Sequence, residues 1–292
     1  MGAYTVAGFV GGSVRVALLF GLALGGNLGN ASGQNTQSLW DKVSESGGLV
    51  CGAIPANPIG SYKVGSSENY EGYEINLCRQ IALDLSIAMK KQINLKLQET
   101  SWSTVVLDLQ SGKVDLWPGM SVTPERLKAI DMAGPMYELA HCAVNRKGMA
   151  GLKTWEDYSK PSVRIASVTG TSDEKAAREF APNATILSFK ETSEAILAIQ
   201  AGRADAHVTN ILTCIDILEK NPNVFGDVVI PTPVHSLPSS AGMRKDGDER
   251  FYKWLQSWAE TSRTSGKVRW LFYDAMQRAG FNTSKIPEGF SF

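Results

Sequence analysis

The chain has little that would let it bind by charge alone. Across its 292 residues, lysine plus arginine equals aspartate plus glutamate, 29 each, for a net charge of zero. No basic stripe runs among aromatics, which argues against an electrostatic nucleic-acid partner. Histidine is scarce: His141, His207 and His235 share no metal-ligand spacing, and each reads as a partly buried or surface side chain. The four cysteines, Cys51, Cys78, Cys142 and Cys214, include no C-x-x-C pair, so neither a redox motif nor a metal centre is indicated. An oxidising compartment would allow one or two disulfides among them, with three connectivities open. No G-x-S-x-G, P-loop or G-x-G-x-x-G is present. No cofactor is expected.

Long hydrophobic runs are also missing, with one short exception at the start. Arg15 precedes an apolar core of eleven residues, Val16-Ala-Leu-Leu-Phe-Gly-Leu-Ala-Leu-Gly-Gly26. That is well below the roughly 20 residues a membrane span needs and within the range of an export signal. Small residues flank a polar one at Gly29-Asn30-Ala31, so residues 1–31 are expected to be a signal peptide cleaved after Ala31. The first cysteine lies far beyond that point, which removes a lipid-acceptor Cys and favours a periplasm-like compartment over a tethered one. The mature chain is expected to be soluble and monomeric.

What the sequence does have is a repeat. Leu109-Gln-Ser-Gly-Lys-Val-Asp-Leu116 and Ile199-Gln-Ala-Gly-Arg-Ala-Asp-Ala206 lie ninety residues apart and match almost position for position. Each closes an amphipathic helix, turns on a glycine suited to the left-handed cap, and enters an apolar strand. Two lobes of similar α/β build follow. Ligands bind beyond the carboxyl ends of strands in open α/β sheets, so the tails Gly119–Arg126 and Val208–Asn210 should face one cleft. Around this repeat the pattern predicts a linker at 32–38, a helix over 39–46, a strand over 49–54 and a long Pro/Gly/Ser/Asn-rich loop over 54–70. Further elements are a helix over 75–85, a strand over 93–97 and a helix over 104–111 capped by Ser103. Strands over 163–168, 186–189 and 228–230 alternate with helices starting near 169 and 193. The tail, 249–279, is mostly helical, with Trp254, Leu255, Trp258, Trp270 and Leu271 read as packing. The lobes are then 49–139 with 239–292, and 140–238, with 32–48 as linker and leading helix. Crossings at 140–145 and 234–238 make two hinge strands.

Chemistry concentrates at Thr123-Pro124-Glu125-Arg126. Thr is a good N-cap, Pro suits the first helical position, and Glu suits the positive helix end. Arg126 in the first turn opposes the helix dipole, and its planar fork fits a carboxylate. Thr169-Gly170-Thr171-Ser172 opens another helix, where backbone N–H groups and a hydroxyl favour an anion; on spacing alone, ordinary capping is the better account. Trp117 is read as core.

Four segments in order, Gly72-Tyr-Glu-Ile-Asn-Leu, Leu109-Gln-Ser-Gly-Lys-Val-Asp, Met120-Ser-Val-Thr-Pro-Glu-Arg-Leu-Lys-Ala-Ile-Asp131 and Ser167-Val-Thr-Gly-Thr-Ser, resemble family 3 extracellular solute-binding proteins, the amino-acid receptors of ABC importers. The likeness runs from about Leu49 to Tyr273. It implies a two-lobe periplasmic-binding-protein fold with two hinge crossovers, an ABC permease as partner and a small carboxylate-bearing ligand. It also implies that Arg126 grips the ligand carboxylate, with Thr171 donating from the other lobe; Ser172 beside it is a further candidate for ligand contact. Ser121 and the Gly119 carbonyl would take the amino group, and Trp102 would stack on the ligand. One position departs: the family's strand-end Asp, which pairs the ligand ammonium, is Asn210 here. Either Glu68, Glu71 or Glu74 replaces it, or the ligand has no tightly held ammonium. The alternatives to a transport receptor are a dehydratase-like cleft enzyme on the same scaffold, for which 209–213 offers no acid, and a detached ligand sensor.

Overall fold

Two copies of one turn set the frame in the computed structural model, which describes residues 37–65 and 69–285. The expected signal peptide, the linker up to Thr36, and Glu68 lie outside the described residues. The first elements are α1 (Leu39–Ser46), β1 (Gly48–Ala53), β2 (Ala56–Asn57), β3 (Ser61–Lys63), β4 (Tyr70–Glu71), α2 (Tyr73–Met89), β5 (Asn94–Glu99), α3 (Val105–Ser111), β6 (Trp117–Ser121) and α4 (Pro124–Ala129). There follow β7 (Ile130–Arg146), α5 (Trp155–Tyr158), β8 (Arg164–Val168), α6 (Ser172–Phe180), β9 (Thr185–Phe189), α7 (Thr192–Gln200), β10 (Ala206–Asn210) and α8 (Ile211–Lys220). The chain ends in β11 (Phe225–Val229), β12 (Ser236–Arg244), α9 (Arg250–Thr264), α10 (Lys267–Arg278) and a 3-10 turn, Thr283–Lys285.

Gly112 after α3 and Gly202 after α7 both adopt left-handed backbone, φ 76° and 66°, a conformation that only glycine takes without steric cost. Each repeat then delivers a buried aspartate that locks its strand to a neighbour. The Asp115 N–H donates to Val50 O at 2.8 Å, while Asp115 Oδ2 accepts from Val50 N at 3.0 Å. In the second copy the Asp205 N–H donates to Arg164 O at 2.8 Å, and Asp205 Oδ2 accepts from Arg164 N at 3.1 Å. Cations complete both: Lys42 pairs with Asp115, and Arg164 and Arg146 pair with Asp205 at 2.7 and 3.1 Å. The repeated Gly and Asp are therefore two parts of one structural device, used once in each lobe.

In the first lobe β1 and β5 run parallel, and Cys51 on β1 bridges to Leu116 just before β6. The main sheet continues in the order β6-β12-β7-β10-β8-β9, with β11 also on β7. The long β7 joins the halves. Its residues from Ile130 to Ala140 pair antiparallel with β12, and His141 to Asn145 pair antiparallel with β10. One continuous strand thus passes from one lobe into the other, the structural basis for a hinge. Helix α2 packs the first lobe through Ile75, Cys78, Ile81 and Leu85, all fully buried, at helical spacing. Tyr73 stacks on Phe272 of α10 with centroids 4.1 Å apart, which ties the C-terminal helices back onto this lobe.

Three expectations are corrected. The segment 54–70 is not one irregular loop but carries a small antiparallel sheet, β2-β3-β4. Buried Ser61 and Tyr70 give it a packed side, and Ser61 Oγ accepts from Ile54 N at 3.0 Å. Ser103 does not cap α3; the preceding residue is Thr104, and the Ser103 hydroxyl instead meets that of Ser101 at 2.9 Å. Trp270 is 62% exposed, unlike Leu255, Trp258 and Leu271, which are buried; it lies on the outer face of α10. Cys51 and Cys78 form a disulfide between β1 and α2, while Cys142 and Cys214 remain buried thiols. Burial pushes the Cys214 thiol well up, with the neighbouring Cys142 adding to the shift, so it stays protonated.

The disulfide closes a loop of 27 residues, and removing it through a Cys51→Ala/Cys78→Ala double variant should lower stability by about 3 kcal/mol. Urea unfolding of the variant beside the oxidised wild type reads this; equal midpoints would contradict it.

Candidate functional site

The site is built where strand ends and helix starts of the two lobes meet. From the first lobe, β6 runs out through Gly119 and Ser121 into α4. Thr123 caps that helix, its hydroxyl accepting from Arg126 N at 3.3 Å, and Pro124 takes the first helical position. From the second lobe, β8 leads through Gly170 into α6, and β10 leads into α8. All seven residues expected at the site, Trp102, Gly119, Ser121, Arg126, Thr171, Ser172 and Asn210, line one cavity between the lobes. About 50 Å³ of it is open to the centres of water-sized molecules, room for a few waters.

Arg126 is the centre of this arrangement. It is buried; its Nη1 donates to Ser121 O at 2.9 Å and its Nη2 crosses the cleft to Gly170 O at 3.3 Å. Its guanidinium also stands 5.9 Å from the Trp102 ring. Among the described residues no carboxylate forms an ion pair with it. Burial lowers its pKa to about 10, with Asp173 and Glu125 working against the shift, so it is a cation at neutral pH. A buried cation held only by carbonyl dipoles is costly, and an anion at this point would recover that cost.

The other members divide into those with free bonding capacity and those already committed. The Thr171 hydroxyl donates to Val168 O at 2.7 Å and accepts from Glu174 N at 3.1 Å. It caps α6, which leaves its hydrogen unavailable to a ligand. Ser172 Oγ meets Ser121 Oγ across the cleft at 3.0 Å, an exchangeable contact. The Gly119 carbonyl accepts from the indole of Trp117 at 2.8 Å. Its α-carbon lies so close to Tyr137 that an added Cβ would fall 2.2 Å from the phenol oxygen, so no other residue fits. Asn210 caps α8, its Oδ1 accepting from Thr213 N at 3.1 Å. Trp117 is fully buried and presents an edge to Trp102 at 5.2 Å. Further contact between the lobes comes from Lys175 and Glu125 at 2.5 Å, both exposed.

The cavity holds one acid that the sequence reading did not place there. Asp173 lines it, and His141 on the hinge strand lies with Nδ1 2.6 Å from Asp173 Oδ1. Of the three candidate acids, Glu74 alone among those described reaches the cavity; its Oε2 accepts from Asn57 at 2.8 Å. Burial raises the Glu74 pKa to about 8, only partly offset by Asn57, so it is mainly protonated at neutral pH. Tyr73, Tyr137, Thr192 and Ser239 complete much of the lining. Asp173 follows Thr171-Ser172 directly, and its place on the first turn of α6 was a usable signal. Tyr73 lies in the Gly72-Tyr-Glu-Ile-Asn-Leu segment already singled out, whereas Tyr137 and Ser239 come from the distant strands β7 and β12, for which the sequence carries no signal.

A cleft closed by two α/β lobes on a shared strand defines the class: a periplasmic-binding-protein fold of type 2. The chain belongs to the bacterial extracellular solute-binding proteins, family 3, whose model matches residues 49–273. The family consists mainly of binding proteins without catalysis. The ABC transporter glutamine-binding protein GlnH of Bacillus subtilis is 28% identical over 259 residues, 82% of this chain and 93% of that one. Cyclohexadienyl dehydratase of Pseudomonas aeruginosa is 24% identical over 253 residues, 84% and 91% of the two chains. Among solved structures, the ancestral amino acid-binding protein AncCDT-1, a precursor of cyclohexadienyl dehydratase, matches with a TM-score of 0.70 at 29% identity. That match covers 82% of this chain and 99% of the other. Among the described residues no helix is long and apolar enough to cross a membrane.

Glu74 makes the protein's stability depend on pH in a defined window. Its folded pKa, about 8, lies above the unfolded value of 4.5. The contribution is therefore full below pH 4.5 and is lost as pH rises through 8. Urea midpoints at pH 5 and pH 8.5 should fall further for wild type than for Glu74→Gln; parallel losses would show that Glu74 is not the group responsible.

Proposed function

We propose that this protein is a solute receptor that closes its two lobes on a small carboxylate-bearing ligand, an amino acid or derivative, and passes it to an ABC permease. The observation that carries the reading is the buried Arg126 guanidinium, which contacts both lobes and has no ion pair among the described residues. A ligand carboxylate would take the place of the Gly170 carbonyl contact, with the Ser121 and Ser172 hydroxyls as further donors. The lobes are assigned to 49–139 with 239–292, and to 140–238. Closure follows from differential affinity, because a ligand touches both lobes only when they meet. The family's extracellular character supports export to the periplasm, and the named relatives support an amino acid.

Thermal shift with amino acids and other small carboxylates tests this. A ligand at 100 times its dissociation constant adds about 2.7 kcal/mol of stability. Arg126→Ala should weaken the best binder by about 3 kcal/mol, a little over a hundredfold; affinity equal to wild type would defeat the clamp.

A second reading, turnover of the ligand in the cleft, is favoured by one observation. Glu74 is a buried carboxyl, mainly protonated at neutral pH, in the wall of the cavity, and a general acid needs that state. Mass spectrometry of the best binder after prolonged incubation separates the two: recovered intact, the ligand is cargo; converted, and only when Glu74 is present, it is substrate.

A further inference from the structure

We propose that the ligand is a carboxylate with a long apolar chain, which leaves the cavity past Asn57 and Thr192 and lies in a second groove between the lobes. Its head group stays at Arg126. The inference rests on the receptor reading above and deepens it, from small carboxylates in general to one class.

Room is the first argument. The cavity around Arg126 offers about 50 Å³ to the centres of water-sized molecules, space for a few waters. That suits a carboxylate and the carbon next to it, and little more. A neighbouring groove offers about 550 Å³ by the same measure. One wall comes from the small sheet of the first lobe, through Pro58 just after β2 and Tyr62 on β3. The other comes from the second lobe, through Ile196 on α7 and Ile217 on α8.

Continuity is the second. Thr192, the first residue of α7, lines both spaces, so the wall between them is one side chain thick at that point. β2 divides them in the same way: Asn57 lines the cavity, while Ala56 and Pro58 on either side of it line the groove. Side chains alternate along a strand, so two residues of β2 serve both. This exit lies apart from the clamp. Glu74 bonds to Asn57 there, whereas the Arg126 fork reaches Ser121 and Gly170. Burial keeps Glu74 mainly protonated at neutral pH, so an apolar chain passing it meets no carboxylate charge.

The chemistry of the groove is the third. Its cations are already engaged, Lys220 with Asp216 at 2.8 Å and Arg278 with Asp274 at 3.1 Å. Of its charged side chains Glu71 alone has no ion pair among the described residues, and it is only half-buried, so water still reaches it. What remains for a ligand is the apolar surface of the isoleucines, Pro58 and the Tyr62 ring, and each methylene moved there from water gains by burial. Because the walls belong to different lobes, a chain in the groove favours the closed form in addition to the clamp.

The test is isothermal titration of straight-chain α-amino acids, from alanine to α-aminooctanoic acid, and of the matching unsubstituted carboxylates. Wild type, Ile196→Trp and Tyr62→Ala are compared. In wild type, affinity should rise about fourfold for each methylene added once the chain is longer than the cavity. Ile196→Trp fills the groove from the second lobe and Tyr62→Ala removes part of its wall from the first; neither residue lines the cavity. Both should leave the shortest chain that binds unchanged. Ile196→Trp should abolish the gain with length, and Tyr62→Ala should reduce it. Wild-type affinity that falls with length would overturn the inference, and so would an undiminished rise in Ile196→Trp. Equal loss at every length in both variants would overturn it too, since the groove would then act through structure. In each of these cases, short chains that bind wild type and fail with Arg126→Ala leave the receptor reading standing. If no carboxylate binds at all, the receptor reading fails and the inference with it.

Discussion

A buried guanidinium with no carboxylate paired to it among the described residues is the constraint on which the cleft depends. Arg126 stands at the start of a helix, where the dipole disfavours a cation, and inside a cavity, where water cannot screen it. Its fork is held by the carbonyls of Ser121 and Gly170, one from each lobe, and Trp102 covers one side. Those contacts orient the group without cancelling its charge. An anion placed there gains from an electrostatic field whose cost was met during folding. The rest of the first lobe supports the geometry: Thr123 and Pro124 start the helix, and the Tyr137 phenol against Gly119 fixes the strand beneath it.

The two lobes reach this arrangement by one structural device used twice. In each, a glycine ends a helix and an aspartate three residues on ties the next segment to a neighbouring strand, its N–H donating to that strand's carbonyl and its carboxylate accepting the same residue's N–H. For Asp205, burial by itself would raise the carboxyl, but the bonds from Arg164 and Arg146 outweigh it and hold the pKa below the ordinary value. Because the device anchors the base of the strand, the far end is free to differ. Gly119 and Ser121 lie at one tip, and Thr209 and Asn210 at the other. Scaffold and specificity are thereby separated along the same strand.

β7 links the lobes in a way that affects the chemistry as well as the motion. As a continuous strand it pairs first with β12 and then with β10, and His141 sits at the change of partner. Its side chain is buried and meets Asp173 of the cavity wall. The histidine therefore bears on an acid of the cavity wall, Asp173, although nothing in its local sequence distinguishes it from His207 or His235. His207 is buried in a lobe, where desolvation lowers its pKa, and His235 stacks on Phe180 at 3.9 Å.

By itself the sequence determined the repeat, the helix start at Thr123, a second helix opening within 169–172, the apolar faces of the main helices and the family. Those depend on local rules, the period of apolar residues, caps and left-handed glycines, which act within a few residues of chain. The resemblance to the family, rather than those rules, singled out the seven candidate residues, and they line one cavity. Tertiary structure alone decided which cysteines pair, that 54–70 folds as a small sheet, and which hydroxyls remain free. It also decided that Trp270 faces outward, that Glu74 is shielded from water, and that Asp173 stands beside His141 next to Asn210. Each of these turns on what surrounds a group from distant parts of the chain. Burial and partner geometry are properties of the packed assembly, which local pattern does not encode.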